Sequence, residues 1–525
     1  MASQRTLLHG AIVLIIAGFI NRVIGFLYRI FAVRVVGPEG IGLYEMVIPV
    51  YTLLLVVTTA GVPLAISKLV AEQVSLGNIR EVRKIFRVSL VFLICAGSFS
   101  VLLLLCSISF LVGNIFSDPR VYWCLLTLAP AILITSISSA FRGYYQGLQE
   151  MFPPALGQVL EQIVRVSVGV YLATSLLPYG TEYAVAGLAC GTVLGETAGL
   201  LFLIFMYASK KKQVQLNKNF ISRKTSSTAA ILSNIFTFAI PVSFSRLINS
   251  LLLTLQAILI PLRLQAAGHT LRQATEIYGQ FSGIALALLG LPSIITFSLA
   301  TTLVPATSEA MAKNNLVLLK VRCKKALQVS LIVGLPAAIV FFLLSTQLCQ
   351  IIFNTPQAGI PLRILSFGCI FLYLAQTSSG ILQGLGRVGT VLGNSIAGAV
   401  CNIIFIFLLT GLPTYGIRGT AIAMNIGWAI IAVLNLYSVS SLTGVTFSWR
   451  DFFIIPLLGS IFTGGIIYCT FTLFWSCTAN KVLATIGAIL AGAVVYVAYL
   501  FLSGTVKKDD LARLPGMGYF FHSIL

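Results

Sequence analysis

Charge is scarce in this chain. Asp, Glu, Lys and Arg together make up 9% of its 525 residues, and only 14 residues are acidic. A soluble domain carries about 25% charged residues, so a soluble enzyme, a disordered protein and a coiled coil are all excluded. No polar stretch is long enough to form a separate soluble domain. Histidine is nearly absent too: His9, His269 and His522 are the three, all at or outside the ends of apolar runs. There is no HExxH, no P-loop and no nucleophile elbow. An intramembrane hydrolase or transferase needs a His, Asp or Glu constellation, so no catalytic residue, no cofactor and no enzyme activity are expected. Without an ATPase motif, any driving force comes from gradients or the membrane potential. The ten cysteines are scattered, with no CxxC and no Cys/His cluster. Cys95, Cys106, Cys190, Cys369, Cys401 and Cys469 lie in apolar runs and read as small hydrophobes, so neither a disulfide framework nor a metal site is expected.

Apolar sequence fills the space. Hydrophobic residues are 58% of the chain, and the mean hydropathy is +0.98. At about 20 residues per membrane-spanning helix, the length allows about 12–15 spans. Turn signals and charge runs divide the chain into fourteen apolar segments, from 8–33 and 43–70 to 452–475 and 482–504. The segment at 8–33 has no trusted cleavage site and reads as a retained first helix. Segments 229–260 and 276–307 exceed one bilayer thickness and are expected to tilt or kink, with Pro241, Pro261, Pro292 and Pro305 as break points.

The net charge of +20 would suggest nucleic acid in a soluble chain. Here it follows from loop asymmetry, so no nucleic-acid partner is expected. Arg80, Arg83, Lys84 and Arg87, the cluster from Lys210 to Lys224, the cluster from Lys313 to Lys325, and Lys507, Lys508 and Arg513 all fall on one side, together with Arg5, Arg142, Arg387 and Arg450. The other side holds Arg34, Arg120, Arg263, Arg272, Arg363, Arg418 and Lys481. The positive-inside rule makes the first side, with both termini, cytoplasmic.

The chain also resembles itself. Gln146-Gly147-Leu148 matches Gln383-Gly384-Leu385, Val88-Ser89-Leu90 matches Val329-Ser330-Leu331, Tyr183 to Ala189 matches Tyr415 to Ala421, and Arg22 matches Arg246. The four matches fall in the same order at nearly constant offset, which marks an internal repeat. Each copy has six spans, an even number, so both insert the same way up and can be related by a twofold axis along the membrane normal. The expected architecture is an all-α polytopic membrane protein: a six-helix lobe at 1–209, a basic linker at 210–228, a second six-helix lobe at 229–440, two further helices within 450–505, and a tail at 506–525.

A charge at mid-bilayer costs about 2.5–3.5 kcal/mol on insertion scales, so each one within a span needs a reason. Arg22 and Arg29 are two helical turns apart on one face, with Gly18 and Gly25 nearby. They read as a cationic stripe lining a cavity, or as arginines paired with acids. Arg246 shares the reading through the repeat. Glu161 and Arg165 have the i,i+4 spacing of an ion pair. Lys68 and Glu72 have it too, near the end of the second span. Glu196 has no obvious sequence partner: it either pairs with a buried arginine or binds a proton or ion.

Three stretches carry a family resemblance: Ala17 to Arg29 (AGFINRVIGFLYR), Gly37 to Tyr44 (GPEGIGLY) and Ala60 to Glu72 (AGVPLAISKLVAE). They resemble the stage V sporulation protein B and MurJ-type lipid II flippase family, in the superfamily of MATE drug exporters and polysaccharide flippases. The resemblance implies a flippase that carries an undecaprenyl-diphosphate-linked peptidoglycan precursor across the bacterial cytoplasmic membrane by alternating access, for spore cortex or wall synthesis. It further implies phosphate-binding arginines on helices one, two and eight. Arg22 matches the first of these. The second helix-one arginine is displaced by one residue to Arg29, and the helix-two and helix-eight positions fall near Leu53 and Phe281. Arg246, Lys68 and Arg142 are the candidates to replace them. The implied partners are a lipid-linked anionic oligosaccharide, membrane lipids and wall-synthesis enzymes, and the chain is expected to act as a monomer. A MATE-like cation or drug antiporter working through Glu161 and Glu196, and a non-transporting scaffold in a wall-synthesis complex, are the alternative readings.

Overall fold

The computed structural model describes the backbone of residues 2–59, 61–215, 226–446 and 450–504. Side chains are described within these ranges except at 2–15, 210–215, 241, 242, 245 and 451. The tail and most of the basic linker read from the sequence lie outside the described residues. Every described secondary-structure element is helical. In hydrocarbon each backbone N–H and C=O must be paired within its own segment, which leaves the helix as the form for apolar runs of this length.

Helix α1 runs Ala2–Thr59 but bends back on itself at Gly37, whose φ of 70° and ψ of 175° are not helical. The cause is local. Residues before a proline are pushed toward extended ψ, Pro38 is well suited to the first helical position after the bend, and glycine alone takes the positive φ without strain. Arg29 and Glu45 form an ion pair across the bend. In one straight helix, residues sixteen apart would be separated by about 24 Å. Thirteen stretches among the described residues are long and apolar enough to cross a bilayer, and the first, Ile16–Ser75, has 60 residues. Because it folds back at Gly37, it has the length and composition of two crossings, which gives fourteen candidate crossings among the described residues.

Two compact units form, Met1–Gly283 and Ile284–Leu525. The first holds α1, α2 (Val62–Ser75), α3 (Ile79–Phe110), α4 (Val121–Gly147), α5 (Phe152–Leu176), α6 (Thr181–Gln215), α7 (Thr228–Ala266) and α8 (Leu271–Tyr278). α7, which the sequence places in the second repeat, packs on α1, α2 and α3. Phe86, Phe141, Tyr144 and Tyr207 meet with ring centroids 4.7 to 5.7 Å apart and fill the core between α3, α4 and α6. α8 continues into a π-helical segment, Gly279–Ala285, and then into α9 (Leu286–Ala312) of the second unit. This unit adds α10 (Leu316–Leu343), α11 (Ser345–Phe353), α12 (Gly359–Gly384), α13 (Val388–Thr410), α14 (Ile417–Thr443), α15 (Ile455–Thr478) and α16 (Lys481–Leu502). α15 packs on α10 and pairs with α16.

The repeat is visible in how the helices touch. A Cβ on Gly143 of α4 would lie 2.6 Å from the Pro63 carbonyl oxygen of α2. One on Gly380 of α12 would lie 2.5 Å from that of Ala300 on α9. One turn on, Gly147 stands against the Ser67 carbonyl and Gly384 against that of Val304, at 2.8 and 2.6 Å. The same small-residue crossing is built twice, at the positions where the sequence repeats.

Candidate functional site

Two buried acids and two half-buried arginines meet in the first unit. α5 and α6 approach closely because glycines face backbone: a Cβ at Gly191 would lie 2.6 Å from the Gly169 nitrogen, and one at Gly195 would lie 2.7 Å from the Glu161 carbonyl. This contact places Glu161 and Arg165 of α5 beside Glu196 of α6. Arg165 Nη2 donates to Glu161 Oε1 at 2.6 Å and to Glu196 Oε1 at 3.3 Å. Arg142, from the last turns of α4, donates through Nη2 to Glu161 Oε2 at 2.8 Å and lies 3.7 Å from Glu196 Oε2. That last separation is an ion pair without a hydrogen bond, so Glu196 Oε2 is buried with no hydrogen-bond partner among the described residues. Two arginines and two carboxylates sum to zero, and the mutual attraction offsets the cost of taking each from water.

A polar seam leads away from this quartet. Tyr51 Oη lies 3.3 Å from Thr135 Oγ1, Tyr44 Oη lies 3.2 Å from Thr192 Oγ1, and Tyr28 Oη donates to the Leu188 carbonyl at 3.5 Å. Leu188, Thr192 and Glu196 are spaced by four on α6, so they share one face. α1 therefore lays three tyrosines along the interior of α4 and α6.

Arg29 is held by acid and backbone together. Its Nη2 pairs with Glu45 Oε1, and its Nη1 donates to the carbonyls of Ser282 and Gly283 at 3.1 and 3.2 Å. Ser282 Oγ donates to Glu45 Oε2 at 3.0 Å. From the sequence Glu45 reads only as an acid near a span end, with no partner assigned. The signal that would have found it is its distance from the bend: Arg29 and Glu45 stand equally far from Gly37 on either side.

The other cations are placed differently. Arg22 is half-buried on α1, on the face it shares with Arg29. Lys68 of α2 lies 3.7 Å from Glu72 and sits over the ring of Phe238 on α7, 3.6 Å from its centroid. Arg246 is exposed on α7 and makes no ion pair among the described residues. It lies one turn beyond Ser243, whose Oγ accepts the Gly61 N–H at 3.0 Å where the second span is interrupted. Of the eight residues named from the sequence, the structure brings Arg142, Glu161, Arg165 and Glu196 into one cluster. Arg22, Arg29, Lys68 and Arg246 stand outside it, on α1, α2 and α7.

A second ionic knot closes one end of the unit. Arg120 donates to Asp118 at 2.7 Å and to Glu39 at 2.5 Å, and Thr275 of α8 donates to the fully buried Asp118 at 2.8 Å. It ties the start of the second arm of α1 to α8 and to the start of α4.

The second unit repeats the helices without these charges. Ser379, the repeat counterpart of Arg142, accepts from Asn435 Nδ2 at 3.0 Å, and Asn435 Oδ1 accepts from Asn394 Nδ2 at 2.9 Å. The quartet of Arg142, Glu161, Arg165 and Glu196 thus belongs to one repeat alone among the described residues.

Comparison with known proteins settles the family. The model of the polysaccharide biosynthesis protein family matches residues 7–311, more than half of the chain. The chain belongs to the polysaccharide biosynthesis protein family. A MatE family model also matches residues 282–408. Within this family the chain is 32% identical to stage V sporulation protein B of Bacillus subtilis, over 98% of this chain and 99% of that one. It is 24% identical to the lipid II flippase MurJ of the same organism, over 97% of this chain and 98% of the flippase. In fold it matches a solved lipid II flippase MurJ in an inward closed conformation, with TM-score 0.71 and 19% identity over 94% of this chain and 100% of that one. It also matches an inward-facing multidrug resistance MATE family transporter, with TM-score 0.61 and 16% identity over 81% of this chain and 96% of that one.

For this member of the polysaccharide biosynthesis protein family, the two positions where the resemblance implies further arginines are clear in structure. Phe281 is 1% exposed within the π-helical segment, so that site is packed core. Leu53 is half-buried on the second arm of α1.

Proposed function

We propose that this multi-pass membrane protein is a flippase that moves an isoprenyl-diphosphate-linked oligosaccharide, similar to lipid II, from the inner to the outer leaflet by alternating access. Full-length similarity to a named lipid II flippase and to stage V sporulation protein B supports the reading. The observation that carries it is where the bases of the first unit stand: Arg22, Lys68 and Arg246 lie on α1, α2 and α7, outside the quartet of Arg142, Glu161, Arg165 and Glu196, with Lys68 beside Glu72 and Arg246 exposed. A diphosphate needs cationic donors in a low-dielectric setting, and arginine offers a planar fork that matches phosphate oxygens. The lipid tail stays in the bilayer while the head group crosses. In this reading the membrane is the bacterial cytoplasmic membrane, both termini are cytoplasmic, and the protein works as a monomer alongside wall-synthesis enzymes. The test is leaflet-resolved accessibility of lipid II in cells depleted of other flippases. The wild-type chain restores outer-leaflet lipid II. Arg22→Ala abolishes this at equal membrane abundance, and Arg22→Lys is partly active because charge remains and the fork is lost. Full activity of Arg22→Ala would remove the anionic substrate from the reading.

One observation favours a second reading, a cation antiporter. Glu196 Oε2 is buried without a hydrogen-bond partner among the described residues, a state that suits a carboxylate which takes up and releases a proton or cation. Export of an organic cation that stops in Glu196→Gln, with lipid II accessibility unchanged, would favour it.

A further inference from the structure

We propose that Glu45 is a built-in substitute for the anionic substrate: it holds Arg29 while the protein is empty, and a diphosphate that takes Arg29 from it releases the π-helical segment of residues 279–285. This rests on the anionic-substrate reading and assigns that substrate a second task.

The geometry supplies both halves. The guanidinium of Arg29 is divided between an acid and a backbone: one nitrogen pairs with Glu45, and the other donates to the Ser282 and Gly283 carbonyls. A π-helical turn bonds i to i+5 and departs from the regular ladder, and it recurs at functional sites as a single widened turn. Arg29 adds a charged donor to two of its carbonyls here. Glu45 also accepts from Ser282 Oγ and, through its own carbonyl, lies 3.4 Å from Tyr278 Oη. One carboxylate thus fixes the arginine and braces the segment on which that arginine acts.

The exposures set the direction of exchange. The Arg29 side chain is 30% exposed and that of Glu45 is 12% exposed, so an incoming group reaches the guanidinium before the carboxylate. A diphosphate offers more charge and a bidentate set of acceptors. When Arg29 turns to it, Glu45 keeps the Ser282 hydroxyl, and the two carbonyls lose the charged donor that Arg29 supplied. The segment thereby loosened contains Gly283, the residue at which the first packed unit ends. Substrate binding is in this way linked to the point where the chain leaves that unit.

The experiment uses the full-length protein in lipid nanodiscs, with farnesyl diphosphate as the probe and inorganic diphosphate alongside to tell a lipid-borne group from a free one. Binding is measured together with amide hydrogen exchange across residues 279–285. In wild type, saturating probe is expected to raise exchange in that segment. Glu45→Gln keeps the shape, removes the competing charge, and is expected to tighten binding by about tenfold, the scale of one charge-assisted hydrogen bond. Arg29→Lys, which cannot bridge both carbonyls and the acid, should bind more weakly and lose the exchange response. If Glu45→Gln does not elute as a folded species, Glu45→Asp, one methylene shorter, should tighten binding by about threefold. Tightening with either probe supports the exchange of acceptors. An unchanged dissociation constant in Glu45→Gln, or exchange that ignores saturating probe, overturns the inference while leaving the substrate reading intact. Failure of wild type to bind either diphosphate overturns both.

Discussion

Arg165 of α5 and Glu196 of α6 meet at 3.3 Å where glycines bring the two helices together. The contact closes a ring, because Glu161 and Arg142 join both partners. Removing either arginine leaves one of the two buried carboxylates without a compensating charge. Arg165→Ala is therefore expected to cost about 3–5 kcal/mol, read as a lowered melting temperature in detergent. Adding Glu196→Gln to Arg165→Ala should recover much of the loss, because charge balance returns. A double variant no more stable than Arg165→Ala would mean that packing, not charge, is what the ring supplies.

The close approach of α5 and α6 makes its own prediction. At Gly191 even a Cβ would press on the Gly169 backbone at 2.6 Å, whereas a Cβ at Gly18 meets nothing within 4 Å. Gly191→Val should cost at least about 1–3 kcal/mol through overpacking, and Gly18→Ala should be near neutral. Thermal unfolding of the two variants under one condition checks the contrast. Equal melting temperatures would show that the helices can part without penalty.

Much of this was legible in the sequence for reasons that are local. Apolar runs in lipid can only be helices, Gly37-Pro38 announces a bend, and Glu161 with Arg165 lies within one helical period. The repeat matches at Gly147 and Gly384 fall on real helix crossings. What was not legible is what depends on register between helices. Arg142 reaches Glu161 only because the α4–α5 turn fixes how the two helices slide past each other. From the sequence Arg29 reads as lining a cavity or as paired with an acid, and Glu45 cannot be picked out as that acid because it lies on the far arm of a hairpin. The π-helical segment has no sequence period of its own, and the packing of α7 onto α1, α2 and α3 is not announced by its apolar run.

Topology gives the third prediction. In a background lacking the exposed cysteines Cys95, Cys106, Cys469 and Cys477, a cysteine at exposed Ala266 should react with a membrane-impermeant maleimide from outside intact cells. One at Val317, 74% exposed, should react only after permeabilisation. The argument is the placement of basic residues, which stay on the cytoplasmic side: Val317 stands among Lys313, Lys320, Arg322, Lys324 and Lys325. Outside labelling at Val317 would turn the protein over and reverse the transport direction proposed for it.

The last prediction concerns the driving force. In the proposed cycle, a diphosphate carries negative charge outward across a membrane that is negative inside. Each elementary charge moved is worth about 2.3 kcal/mol per 100 mV, and for an anion this direction is downhill. The structure leaves the field free to act. The quartet is neutral as built, and Arg29 is balanced by Glu45. The remaining bases are fixed to helices, so the charge that travels is the substrate's own and needs no accompanying proton. Collapse of the membrane potential should accordingly slow flipping more than collapse of the pH gradient. Proteoliposomes carrying lipid II, treated with valinomycin and nigericin in turn, separate the two. The competing route runs through Glu196, whose protonation would unbalance the ring and reset the empty carrier. Flipping that ignores valinomycin-set potentials but stops with nigericin, and is lost in Glu196→Gln, would establish that route and make the quartet a coupling site instead of a structural one.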